Sequence, residues 1–150
     1  MTKYFFKLIF INFFTFTIIA CSKQTPQEII IKDAHLYVPL KGAMMTSGYL
    51  SMENTSNKSF EITGISCSSS RAEIHETKIN AAGIMTMEKR DRFVLTPFEK
   101  IIFVPGGKHI MLWGLSDPTE NHLDCSFNVH NEDPINFKFT VQKRGQNIRD

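Results

Sequence analysis

Cysteine is scarce in this chain: there are three in 150 residues, and no two are spaced Cys-x-x-Cys, which excludes a thioredoxin-type redox centre. Charge of one sign is scarce too. Lys and Arg number 17 against 15 Asp and Glu, and the basic residues gather no further than pairs such as Lys143-Arg144. A nucleic-acid partner requires a basic footprint that this pattern does not supply. There is no Gly-x-Ser-x-Gly elbow, so Ser68-Ser69-Ser70, although near His75, has no hydrolase setting. A blue-copper redox centre needs a cysteine beside two histidines and a methionine. Neither Cys67 nor Cys125 has histidines at such offsets. Beyond residue 20 the chain also lacks an internal repeat, a low-complexity tract and a sustained helical period.

What is present begins with a basic start, Lys3 and Lys7, followed by the apolar stretch Leu8 to Ala20. That stretch falls short of the roughly 20 residues needed to cross a bilayer, so residues 1–20 read as a secretory signal peptide. Ile18-Ile19-Ala20-Cys21 resembles a bacterial lipobox, with Ile18 where leucine is usual. Cys21 is then the lipidated first residue of the mature protein, residues 21–27 are a polar tether, and residues 28–150 form one domain. A cleaved peptide leaving a free Cys21 is the alternative. More than one acyl chain is enough for stable attachment to a membrane, and Ser22 after the cysteine resembles the outer-membrane sorting pattern. Lys3 and Lys7 fall in the signal and no acid does, so 15 basic and 15 acidic residues remain and the mature domain is formally neutral.

From Glu28 onward, short apolar or alternating runs are punctuated by turn residues. Candidate strands are 29–38, 48–53, 60–66, 72–79, 84–89, 100–104, 109–113, 122–128 and 135–142. Their close, even spacing and β-branched and aromatic content predict an all-β antiparallel sandwich or barrel. Val104-Pro105-Gly106-Gly107 suits a type II turn, with glycine at the third position where φ is positive, and it delivers the chain into His109. The seven phenylalanines beyond the signal are core candidates. Cys67 and Cys125 lie 58 residues apart in an exported, oxidising setting, and the spacing alone leaves open whether they are bridged.

Side chains alternate between the two faces of a strand. His109 and Met111 therefore share one face while Ile110 and Leu112 take the other. Likewise Glu73, His75 and Thr77 oppose Ile74, and Met85 goes with Met87. A three-residue loop over Asn80–Ala82, closed by Ile79 and Gly83, would set His75 opposite Met87 and Thr77 opposite Met85. Taken singly these residues have ordinary explanations: His75 as a solvated strand histidine, Met85 and Met87 as core fillers. His122 and His130 read as solvated loop histidines, and Met44-Met45 as packing residues. Together the imidazoles and thioethers form the donor set that a soft monovalent cation, copper(I), prefers.

His75-Glu76, then Gly83-Ile84-Met85-Thr86-Met87, then Pro105-Gly106-Gly107-Lys108-His109-Ile110-Met111-Leu112-Trp113-Gly114-Leu115 resembles the periplasmic copper chaperones associated with assembly of the Cu(A) centre of cytochrome c oxidase. Twenty-one residues separate Met87 from His109, as in that family's His…Met…His-x-Met signature, whereas His75 and Met87 are separated by 11 rather than the usual ten. The resemblance implies a cupredoxin-like Greek-key sandwich, non-enzymatic and monomeric, with His75, Met87, His109 and Met111 as copper(I) ligands and Met85 in reserve. It also implies a copper-accepting partner, such as a cytochrome c oxidase subunit or another assembly chaperone, met on the periplasmic side of a lipid-anchored protein. A non-metal envelope lipoprotein that binds other proteins and uses its methionines as core is the alternative.

Four neutral ligands leave the ion its single positive charge, and thioethers cannot be lost to disulfide formation in an oxidising compartment. An imidazole coordinates only when neutral, and its ordinary titration lies near pH ~6.5. Copper(I) retention should therefore be weaker at about pH 5 than at about pH 7.5. Equal retention at both, measured by equilibrium dialysis, counts against histidine ligation.

Overall fold

The computed structural model describes residues 28–115 and 121–143; the signal segment, Cys21 and the tether lie outside them. The described residues form ten strands: β1 (Ile29–Tyr37), β2 (Met45–Asn54), β3 (Phe60–Cys67), β4 (Arg71–Ile79), β5 (Met85–Lys89), β6 (Phe93–Leu95), β7 (Lys100–Phe103), β8 (Lys108–Trp113), β9 (His122–Val129) and β10 (Ile135–Gln142). They make one curled sheet, a half-barrel, in the order β5-β4-β8-β7-β2-β1-β10-β9-β3-β6, with β8 also pairing β2. The ladders are antiparallel except β1 with β10 and a single bridge between β7 and β8.

Alternation produces the core. Leu36, Met52, Ile62, Ile74, Ile110, Leu112, Phe103, Phe127 and Phe139 are essentially inaccessible to solvent and pack together inside the curl. Each such side chain contributes about 1.5–3 kcal/mol when buried. Gly48 on β2 is required by this packing, because a Cβ there would lie 2.9 Å from the Phe139 ring. Six of the seven phenylalanines pack in or against the core as expected. Phe98 does not: it is 70% exposed on a turn, with φ of 58°. The sequence pattern also overlooks β6, three residues long and paired only with β3, and starts β2 three residues late. Cys67 and Cys125 are register partners on β3 and β9 and are joined Sγ to Sγ.

The 104–107 turn is of the expected kind: Gly106 has φ of 76° and the Gly107 N–H donates to the Val104 carbonyl at 3.1 Å. At the far end of β2 the polar loop is held from inside. Asn54, 1% exposed, donates from Nδ2 to the Lys58 carbonyl at 2.6 Å and the Thr96 carbonyl at 2.8 Å. Its Oδ1 accepts from the Ser56 N–H and hydroxyl, both at 2.9 Å. Asn54→Ala removes the four hydrogen bonds made by this buried side chain, and should lower the unfolding free energy by about 2–4 kcal/mol. A urea titration showing a loss below about 0.5 kcal/mol would contradict this role.

Candidate metal site

β4 and β8 lie side by side, and their register sets Arg71 opposite Trp113, Glu73 opposite Met111 and His75 opposite His109. The intervening residues, Ala72 with Leu112 and Ile74 with Ile110, face the core. The two histidines are thus neighbours on the other side of the sheet, with ring centroids 6.0 Å apart and planes tilted by 35°. Trp113 stands beside them, its ring centroid 6.0 Å from that of His75. Ser47 of β2 is the register partner of Met111 and Met45 that of Trp113, so the face continues onto β2.

Neither histidine is solvated. His109 is 5% exposed, and the His75 side chain 15%. The His109 Nδ1–H donates to the Gly107 carbonyl at 3.0 Å, an oxygen that also accepts the Thr77 backbone N–H at 3.1 Å. This leaves the His109 lone pair on Nε2. His75 Nε2 lies 3.1 Å from Glu73 Oε2, and as a carboxylate only accepts, that nitrogen carries the proton. The lone pair of the neutral ring is then on Nδ1, which is buried and has no hydrogen-bond partner. Reading His75 as a solvated strand histidine is therefore wrong. The strand is covered by β5 on one side and β8 on the other.

Glu73 is the residue that sequence reasoning passed over, although its two-residue offset from His75 put it on the same face. Arg71 donates to it first and His75 second, with Lys89 nearby, and these hold its carboxyl at about 2, below its ordinary 4.5. Arg71 in turn lies over the Trp113 ring, 4.9 Å from its centroid. On the other face of β4, Glu76 accepts from Arg90 at 2.8 Å and from Lys108 at 3.1 Å, and its carboxyl is likewise depressed.

The β4–β5 hairpin departs from expectation by one residue. Its three-residue loop is Ala81–Gly83, closed by Asn80 and Ile84: the Asn80 N–H donates to the Ile84 carbonyl at 3.0 Å and Gly83 sits in the left-handed region at φ 77°. The Asn80 side chain favours this by accepting the Ala82 and Ile84 N–H groups at 3.0 and 2.9 Å. A type I turn followed by a left-handed glycine is the usual three-residue hairpin, and it needs Gly83 inside the loop rather than closing it. The register moves by two, so parity is kept while partners change: His75 faces Lys89, Thr77 faces Met87 and Ile79 faces Met85. Met87 is diagonal to His75, within reach of a long side chain, and Met85 is one pair further off. Both are exposed, at 64% and 63%, so neither is a core filler. Met111 is half-buried, Met44 and Met45 are exposed rather than packed, and His122 and His130 are exposed and isolated from this face.

The donors gathered here are imidazole and thioether. Among the described residues no group of three or more His, Cys, Asp and Glu side chains is arranged to hold a metal ion. For a metal–nitrogen bond of about 2 Å and roughly 1 Å more to a ring centre, two liganding imidazoles have centroids up to about 6 Å apart. The observed separation of 6.0 Å stands at the upper end of that range.

The family described as "Putative lipoprotein LpqE-like" matches residues 29–146. A curated relative, "Putative lipoprotein Lxx21020" from Leifsonia xyli subsp. xyli, is 29% identical over 102 residues; the match covers 66% of this chain and 61% of that protein's length. In fold, the chain is similar to the copper-bound PCuAC domain from PmoF2, at a TM-score of 0.62 and 20% identity over 78% of this chain and 94% of that one. It is also similar to apo-DR1885 from Deinococcus radiodurans, at a TM-score of 0.52 and 17% identity, covering 97% and 95%. The all-β, cupredoxin-like expectation is thereby met.

The depressed Glu73 carboxyl makes an acid-side prediction. Its folded value lies below its unfolded one, so its contribution is present in full above about pH 4.5 and is lost as pH falls toward 2. The stability gap between the natural protein and Glu73→Gln should be open at neutral pH and close between those limits. A gap unchanged down to the lower limit, in urea titrations at stepped pH, would rule this out.

Proposed function

This chain belongs to the LpqE-like lipoprotein family, and from that premise and the face just described we propose that it is a non-enzymatic copper(I) carrier of the chaperone kind. The observation that carries the reading is the His75–His109 pair, in register, 6.0 Å between ring centres, each ring with one nitrogen committed to the protein and the other left with its lone pair. An acceptor buried without a hydrogen-bond partner, His75 Nδ1, is costly, and a bound cation satisfies it. Met111 on the same face and Met87 diagonal to His75 complete a neutral donor set, with Met85 one pair more distant. Soft, uncharged donors favour copper(I) over divalent ions.

The copper-bound state of a domain with this fold supports the same cargo, and the His…Met…His-x-Met pattern supports delivery toward a Cu(A) centre. The acceptor is then a cytochrome c oxidase subunit or another assembly chaperone. The lipobox-like sequence ending at Cys21, with Ser22 after it, supports a lipid-anchored, periplasm-facing protein of the outer membrane. The exposure of Met85 and Met87 speaks against a module that uses its methionines as core.

Mature protein titrated with copper(I) anaerobically, with ascorbate as reductant, should bind one equivalent. His109→Ala with Met111→Leu should abolish binding, and Met87→Leu should weaken it by about 10-fold or more, some 1.4 kcal/mol, with a smaller effect from Met85→Leu. No binding by the natural protein would sink the proposal, and a larger effect from Met85 would exchange the two methionines' roles.

A further inference from the structure

We propose that Glu73 and the Gly107 carbonyl hold the two site histidines in opposite tautomers, so that copper(I) is taken by Nδ1 of His75 and Nε2 of His109, with Glu73 as the positioning residue. The choice of ligand atoms rests on the copper(I) reading above; the tautomers do not.

The acceptors on the two rings differ in kind and in side. On His109 the acceptor is backbone. Gly107 lies two residues back along the same strand entry, and its carbonyl uses its two lone pairs for His109 Nδ1–H at 3.0 Å and Thr77 N–H at 3.1 Å. The Thr77 N–H belongs to β4, so the strand that carries His75 also fixes the group that orients His109. On His75 the acceptor is a side chain, Glu73 Oε2, 3.1 Å from Nε2. An ionised carboxylate accepts only, and a neutral imidazole has one donor and one acceptor nitrogen. The proton on Nε2 therefore leaves Nδ1 as the only donor atom that His75 can offer a metal, and that atom is buried without a partner.

Glu73 is itself held. Its other oxygen, Oε1, receives Arg71 Nε at 3.2 Å and lies 3.7 Å from Lys89 Nζ, and the Arg71 guanidinium carbon lies over the Trp113 ring. Trp113, Arg71, Glu73 and His75 form a continuous chain of contacts, all on one face of two adjacent strands. Carboxylate–histidine–metal arrangements fix ring orientation and raise ligand basicity, and loss of the outer partner typically costs about 10–100-fold in metal affinity. The nearby Arg71 and Lys89 charges offset the carboxylate, so the ring is oriented without the site becoming an anionic trap for divalent ions.

Long-range 1H–15N correlation spectra of the 15N-labelled mature protein, copper-free and above the imidazole titration, read the tautomers directly. His75 should show a protonated Nε2 and a bare Nδ1, and His109 the reverse; the same tautomer on both rings overturns the proposal. On addition of anaerobic copper(I), the bare nitrogen of each ring should move, and a shift at His75 Nε2 instead overturns the ligand assignment. Glu73→Ala should bring His75 to a mixture of tautomers and lower copper(I) affinity by about 10–100-fold, while Glu73→Gln, which keeps an acceptor oxygen, should restore most of both. An unchanged His75 spectrum in Glu73→Ala, in a variant whose other resonances keep their dispersion, removes Glu73 from the role. A protein that binds no copper(I) overturns the cargo and the ligand atoms, and the copper-free spectrum still decides the tautomers.

Discussion

Everything at the candidate site depends on the register of β4 against β8. Ile74 opposite Ile110 and Ala72 opposite Leu112 are bound into the core, and a slip of one residue would turn these apolar side chains out and the histidines in. Burial on one face thereby specifies the pairing on the other. His75 meets His109, Glu73 meets Met111 and Arg71 meets Trp113 because the core leaves the ladder no other arrangement. The hydrogen bond from Thr77 N–H to the Gly107 carbonyl continues the same ladder past the start of β8 and places the acceptor for His109. Geometry on the histidine side of the sheet is thus a consequence of packing on its other side.

How much of this is legible beforehand follows from the range of each interaction. Alternation is local, so the shared face of His109 and Met111, and of Glu73 and His75, can be read from one segment at a time. The type II turn before His109 is local as well, written in Pro105-Gly106. Pairing between segments is not local. The β4–β5 loop was displaced by one residue because the demand of Gly83 for a left-handed position and the two acceptances by Asn80 Oδ1 decide between adjacent loops, and alternation does not. Short β6 carries too few residues to display a period, and the exposure of Phe98 comes from a turn whose positive φ no phenylalanine announces. Glu73 was visible as a residue and missed as a partner. A carboxylate two residues before a strand histidine is on its face by geometry alone, and that signal was available.

The electrostatics around the face sort into two levels. A carboxylate is present on this face, yet it is spoken for: Glu73 is held by Arg71, His75 and Lys89, as Glu76 on the other face of β4 is held by Arg90 and Lys108. What remains for an ion is uncharged nitrogen and sulfur. On the copper(I) reading this separation is the basis of selectivity, since a free carboxylate among the donors would bring in harder divalent competitors. On that reading charge orients the ligands while being kept out of the coordination sphere.

The candidate donors also differ in shelter, and on the copper(I) reading a carrier benefits from that difference. The imidazoles lie under cover between β5, β4 and β8, with their rings fixed by hydrogen bonds, whereas Met87 and Met85 stand exposed on the edge strand, the last of the sheet on that side. A methionine on an edge strand gives up little packing when it swings away, because more than half of its surface is already in water. On the copper(I) reading, exchange with an acceptor's ligands starts at the thioether side, where a partner can approach, and leaves the fixed histidine pair to hold the ion until replacements are in place. On the copper(I) reading, the gradient from ordered imidazole to exposed thioether is what allows one face both to retain a cation and to release it.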